Sequence, residues 1–137
     1  MQLFPLIEMK DLVEDFDKVE AAFNFPPNFQ DFDLVAINLT DNKLTLTLDY
    51  KENEFANRVA LLLSNAQIKK MQILPNISGN ACVQGIFIGA EKTNLVFVLN
   101  STSFSSKGAK SDLCVKCDKI SVISAERIAL MIPNPKY

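Results

Sequence analysis

The chain has 137 residues, 48% of them apolar and 22% charged, with a formal net charge of −2. That length and balance suit one globular domain able to bury its own core, and they exclude a disordered, collagenous or disulfide-stapled chain. Histidine is absent, which removes the commonest general base, the Ser-His and Cys-His nucleophile pairs and the commonest metal ligand.

No run has the length and purity of an export signal or a membrane span, so a cytoplasmic protein is expected. Three Asn-x-Ser/Thr triplets, at Asn38, Asn76 and Asn100, then read as chance matches in a chain rich in Asn, Ser and Thr. Cys82, Cys114 and Cys117 make an odd number, which fits free thiols in a reducing compartment. The charge is uneven: Glu8–Glu20 carries six acidic residues and two lysines, −4 in all, so the remainder is +2. No basic patch interleaved with aromatics supports nucleic-acid binding.

In chain order, Met9, Leu12, Val13, Phe16, Val19 and Phe23 are spaced along one face of a helix, which predicts an amphipathic α-helix over about 8–23. Glu14 and Lys18 suit it as an i, i+4 pair, and Pro26 and Pro27 end it. The period then changes to two. Leu34–Leu39 and Leu44–Tyr50 flank Thr40–Lys43, predicting a hairpin whose second strand points Leu44, Leu46 and Leu48 inward. A polar linker follows at Lys51–Asn57. Further strands are expected at Arg58–Ser64, Gln67–Leu74, Gly85–Ala90 and Asn94–Asn100, with Pro75 and Gly79 marking a loop. Ser101–Ser111 reads as a mobile Ser/Gly/Lys-rich loop. Leu113–Cys117 and Ser121–Glu126 read as a closing β pair, and Pro133 and Pro135 argue against strand in the tail. Together these predict a single α+β domain over 1–137. An N-terminal amphipathic helix would pack on a mostly antiparallel, meander-like sheet over about 34–126.

Chemistry is scarce, and neither catalytic, cofactor-binding nor metal-ligating residues are assigned. Asp31 and Asp33 flank Phe32 and could serve as paired carboxylates, but an aspartate after a turn more often bonds nearby backbone amides. Cys114-Val115-Lys116-Cys117 has C-x-x-C spacing, yet on a strand the two sulfurs face opposite ways, and structural zinc needs four ligands. Glycine-rich phosphate loops, nucleophile elbows and EF-hand loops do not occur. A binding protein is therefore expected rather than an enzyme. The expected contact patch is the outer face of the first helix, with Asp11, Glu14, Asp15 and Lys18. Pro26, Pro27, Phe29 and Asp31 are expected to build the turn that joins helix to sheet.

The order Phe25-Pro26-Pro27-Asn28-Phe29-Gln30-Asp31-Phe32-Asp33-Leu34-Val35-Ala36-Ile37-Asn38-Leu39 resembles a segment of immunity protein family 50 of bacterial polymorphic toxin systems, where an aromatic, proline-containing turn runs into an acidic strand start. Leu44–Tyr50, Arg58–Leu74, Cys82–Ile88 and Leu113–Val122 follow the same order of elements, so the resemblance spans about residues 23–127. Gln30 and Asn38 stand where the family often carries histidine. The resemblance implies a cytoplasmic, non-catalytic protein that occludes a cognate toxin domain and needs no cofactor. Three other readings compete. They are a small-ligand module with a pocket among Phe16, Leu46, Phe87 and Phe97, a hydrolase using Asp31 and Asp33, and a structural subunit that forms a homo-oligomer.

Overall fold

The computed structural model describes residues 2–22, 29–52, 54–71, 81–102 and 110–129. Among these the fold is predominantly β, with ten strands hydrogen-bonded into one sheet. They are β1 (Phe4–Pro5), β2 (Val13–Glu14), β3 (Asp33–Thr40), β4 (Lys43–Glu52), β5 (Phe55–Ser64), β6 (Gln67–Met71), β7 (Ala81–Glu91), β8 (Asn94–Thr102), β9 (Lys110–Cys117) and β10 (Lys119–Ala129). The order across the sheet is β2-β10-β5-β4-β3-β7-β8-β9-β6, with β1 alongside β7. Every pairing is antiparallel except the short parallel contact of β2 with β10.

The expected N-terminal helix does not form, and the α+β assignment is corrected accordingly. A 3₁₀ helix covers Leu6–Leu12 and is already non-helical at Met9 (φ −117°, ψ 26°), Val13–Glu14 is strand, and only Asp17–Ala22 is α-helix (α1). Between strand and helix Asp15 takes a left-handed φ of 62°. The physical reason is tertiary. The open edge of β10 recruits Val13 and Glu14, opposite Ile120 and Ser121. Hydrogen bonds to a sheet edge outweigh the few tenths of a kcal/mol per residue, about, that helix propensity offers. Leu6, Val13, Phe16 and Val19 are buried by this path, whereas Leu12, assigned to the buried stripe by its spacing, is exposed.

Two three-strand meanders, β3-β4-β5 and β7-β8-β9, form the body. In the first, Asp41 and Asn42 have φ of 50° and 63°, the two-residue type I′ geometry that matches strand twist and that Asp and Asn tolerate. Glu52 pairs with Phe55, so most of the expected linker Lys51–Asn57 is strand. β7 and β8 turn at Lys92-Thr93, Lys92 having a φ of 55°. β8 runs to Thr102 and β9 starts at Lys110, so the ends of the expected mobile loop are strand too. The rest of that loop lies outside the described residues, as do Pro26, Pro27, Pro75, Gly79, Pro133 and Pro135.

The expected closing pair is also corrected: β9 and β10 are not hydrogen-bonded to each other. Each bonds to a different half of the molecule. β10 pairs with β5, from Lys119↔Ser64 to Ala129↔Phe55, and β9 pairs with β6, from Gln67↔Lys116 to Met71↔Leu113. The register is the same on both sides of the break, so β5–β6 and β10–β9 are two long antiparallel strands bent together. At the bend Asn65 has a φ of 53° and its Nδ2 donates to Asp118 Oδ2 at 3.0 Å. The Asp118 amide donates to the Ser64 carbonyl at 3.0 Å, and the Ala66 amide to the Asn42 carbonyl at 2.7 Å. Strands that cross a corner in this way turn one sheet into two facing layers.

The halves meet again where β3 touches β7 through Asp33↔Cys82 and Leu34↔Ala81 only, extended by bonds from Asp31 N to Val83 O and from Val83 N to Phe32 O. Alternate residues point inward from both layers: Leu44, Leu46 and Leu48, then Val59, Leu61 and Leu63, face Ile86 and Ile88, Phe97 and Leu99, and Leu113 and Val115 in one continuous core. Phe16, Phe29, Phe32 and Tyr50 line up ring against ring across one end, at centroid distances of 6.5, 5.1 and 5.3 Å.

Asn65→Ala should destabilise the fold by about 1–2 kcal/mol in urea titrations, because a Cβ-bearing residue without a local hydrogen bond resists left-handed backbone. Asn65→Gly should lose clearly less. Equal losses for the two would show that the Asp118 contact, not the backbone, holds the corner.

Candidate functional site

The four residues expected to form one helical contact face are spread over three elements and a turn. Asp11 is on the 3₁₀ helix, Glu14 on β2, Asp15 in the turn and Lys18 on α1. They are not a helix stripe, yet all four are exposed, because the segment runs over the sheet with its apolar residues turned down. Glu8, Asp17 and Glu20 are exposed as well, so the whole acidic excess of Glu8–Glu20 is presented to solvent. Its lysines are already engaged: Lys10 Nζ is 2.9 Å from Glu20 and Lys18 Nζ is 3.8 Å from Asp15. Glu14 is bridged by Lys119 at 2.8 Å. Glu8, Asp11 and Asp17 have no ion pair among the described residues. These three, rather than the expected four, carry the free negative charge of the band.

A second constellation was not expected. Strand register sets Cys82, Asp33, Asp49, Arg58 and Glu126 in one row across β7, β3, β4, β5 and β10. It lies on the face opposite the core, since Leu48 and Val59, its neighbours along the strands, point inward. Arg58 grips Asp49 with two parallel bonds, Nε to Oδ1 at 2.7 Å and Nη2 to Oδ2 at 2.8 Å. Asp49 is only 4% exposed, so this fork is what allows a carboxylate to be buried there. That hydrogen bond raises the Arg58 pKa against the opposing effect of burial, with the charges of Asp49 and Glu126 adding to it.

Asp33 sits beside this pair without a guanidinium of its own. Burial pushes its carboxyl above the ordinary 3.8; the Lys51 ammonium pulls it back and the Asp49 carboxylate pushes it up again. The Cys82 thiol is likewise raised, first by burial and then by the charges of Asp33 and Asp31. A thiol raised in this way is a poor nucleophile at neutral pH. Asp33 therefore has no activated partner in Cys82, and its cross-strand neighbour Asp49 is occupied by Arg58.

Asp31 was expected to help build the joining turn. It takes a φ of 69° and its amide bonds the Val83 carbonyl at 3.0 Å, tying the turn to β7. Phe29 is buried with a φ of 60°, a strained conformation for an aromatic residue. The pocket envisaged among Phe16, Leu46, Phe87 and Phe97 is not assembled. Phe16, Leu46 and Phe97 are buried core residues, whereas Phe87 lies between the inward-facing Ile86 and Ile88 and takes the other face. All three cysteines are free. On β9 Cys117 is buried and Cys114 is half-buried, alternating as expected of a strand, and burial pushes the Cys117 thiol up to about 11. Among the described residues, no group of three or more His, Cys, Asp or Glu side chains is placed to hold a metal ion, and no helix is long and apolar enough to cross a membrane.

Removing the fork by Arg58→Met should cost about 3 kcal/mol in chemical denaturation, because a buried carboxylate is left without its counter-charge. Asp33 has the opposite sign. Its folded pKa lies above its unfolded value, so the native state holds the proton more tightly, and stability falls as pH rises from 3.8 through the folded pKa. Asp33→Asn should be more stable than the parent at neutral pH and should flatten that slope in melting curves taken across the acid range. A parent slope that survives the substitution would place the effect elsewhere.

Neither a family model, nor a curated protein, nor a solved structure matches this chain.

Proposed function

We propose that this protein is a non-catalytic immunity protein, which binds a cognate bacterial toxin domain in the cytoplasm and blocks it by occlusion. The observation that carries the reading is the acidic band. Its six carboxylates are exposed along one segment, both of its lysines are neutralised internally, and Leu6, Val13, Phe16 and Val19 fix it to the core. A rigidly mounted, single-sign surface accelerates encounter with a basic partner and rejects acidic ones. The similarity of residues 25–39 to immunity protein family 50 supplies the class of partner. A basic, nucleic-acid-cleaving toxin domain is the partner whose charge fits best.

On this reading the polar row across the outer face serves the scaffold rather than catalysis, through the Asp49–Arg58 fork. Its salt bridge is closed on itself, and its thiol is disarmed first by burial and then by the neighbouring carboxylates. Occlusion also needs no proton transfer, which suits a chain that has no histidine.

The reading requires a toxin gene beside this one; co-expression with the C-terminal domain of that toxin should rescue growth, and failure to rescue ends the proposal. Reversing Glu8, Asp11 and Asp17 to lysine should slow association by about 10-fold or more at low salt and remove most of its salt dependence. Reversing Asp11, Glu14 and Asp15 should have the smaller effect, because Glu14 and Asp15 are already paired. Unchanged association for both triple variants would move the contact surface off the N-terminal band.

A further inference from the structure

Among the described residues, Asn57 is the one polar side chain buried without anything to bond. It is 1% exposed, and neither its Nδ2 nor its Oδ1 has a hydrogen-bond partner among the described residues. Register places it on the core face of β5, in line with Val59, Leu61 and Leu63, with Tyr50 beside it on β4 and Arg127 on β10. One row further out on the same face lie Glu52 and Phe55. An unpaired amide in this position is a standing cost that a leucine would not incur.

Among the described residues, Arg127 ties the outer edge of this row together. Arg127 reaches diagonally across β5, its guanidinium carbon 4.6 Å from the centre of the Phe55 ring and its Nη2 3.5 Å from Glu52 Oε2. Both charged side chains are substantially exposed, at 49% and 38%, and so is Phe55 at 38%. Exposed contacts of this kind are weak, and such side chains change rotamer on fast timescales. Swinging Arg127 outward breaks these two contacts without moving a strand.

We propose that Tyr50, Asn57 and Phe55 form a binding site for a small planar molecule with an amide edge, shut in the free protein by Arg127 held on Glu52. The chemistry selects the class. A carboxamide presents one acceptor and one donor side by side in a plane. Its complement is a donor beside an acceptor, as in a primary amide, a lactam or a nucleobase. A hydrocarbon leaves both groups unsatisfied, and a simple anion or cation satisfies only one. Flatness follows from the walls: Tyr50 is already backed by Phe32, stacked at 5.3 Å and 30°, and Phe55 offers a second ring. The site is independent of the acidic band and of the toxin-binding reading.

The test is a titration of the isotope-labelled full chain with uracil, nicotinamide and toluene, read on the Asn57 side-chain amide signals by NMR. Uracil or nicotinamide should shift those signals saturably, and toluene should bind at least about tenfold more weakly. Asn57→Leu should melt at a higher temperature than the parent and lose about tenfold or more in affinity for the shifting probe. Arg127→Ala, which removes the latch and leaves Asn57 in place, should bind that probe more tightly. If no probe moves the Asn57 signals in the parent or in Arg127→Ala, the amide is satisfied by ordered water alone and the proposal fails. It fails equally if Asn57→Leu binds the probe as well as the parent does.

Discussion

The bend shared by β5–β6 and β10–β9 is the constraint from which the other features follow. Two strands paired in one register pass together through Asn65 and Asp118. Because they bend as a pair, each layer begins from a strand pair already aligned, and the remaining strands add outward by short turns. A bend in an unpaired strand would leave backbone groups without partners inside the corner. Here the Asp118 amide, the Asn65 side chain and the Ala66 amide each find an acceptor. Once the layers face each other, Leu46, Leu61 and Phe97 share one core, and its burial drives the whole assembly.

Folding the sheet back on itself leaves two places unfinished, and the N-terminal segment completes both. β1 lies against β7 at Phe4↔Ile88 and Pro5↔Phe87, while β2 lies against β10 at Val13↔Ile120. Between them Leu6 is fully buried, and beyond β2 Phe16 and Val19 press into the aromatic end of the core. This segment is a strap across the open sheet edges rather than a helix laid on a finished sheet. Its acidic side chains point outward because its apolar ones have a definite place to go. Stability and the proposed binding surface therefore share one element, and a substitution there acts on both unless it is confined to the exposed carboxylates.

The outer face shows how electrostatics is divided in this fold. Asp49 is buried because Arg58 reaches it with both arms, Asp33 is half-buried and pays for it with a raised pKa, and Glu126 remains in water at the end of the row. The core face holds the opposite case at Asn57, a neutral polar group with no hydrogen-bond partner among the described residues. One row thus resolves its polarity internally and the other leaves it open, and only the second offers something for a ligand to complete.

Several features were legible from residue order alone. The hairpin at Asp41-Asn42 was, because few residues accept two successive left-handed conformations; so was the inward set Leu44, Leu46 and Leu48, because strand period is two. The exposure of the acidic residues between Glu8 and Glu20 followed from charge, and the opposed faces of Cys114 and Cys117 from pleat. The N-terminal helix was misread because its apolar spacing serves equally well for a strap that buries Leu6, Val13, Phe16 and Val19 in separate elements. Only the edge of β10 chooses between the two. The charged row depended on single-residue bulges. Counting back from the Asp41-Asn42 turn sets Asp33 opposite Tyr50, but a shift between Leu34 and Ala36 moves it beside Asp49. A second shift, between Val122 and Ser124, brings Glu126 to Arg58 and Arg127 to Asn57. A one-residue slip exchanges the faces of everything beyond it, and it is settled by packing between strands far apart in the chain. Local order thus determined most of the strands between Asp33 and Ala129 and the turn at Asp41-Asn42, and tertiary contact decided that Val13 and Glu14 are strand and which strands meet.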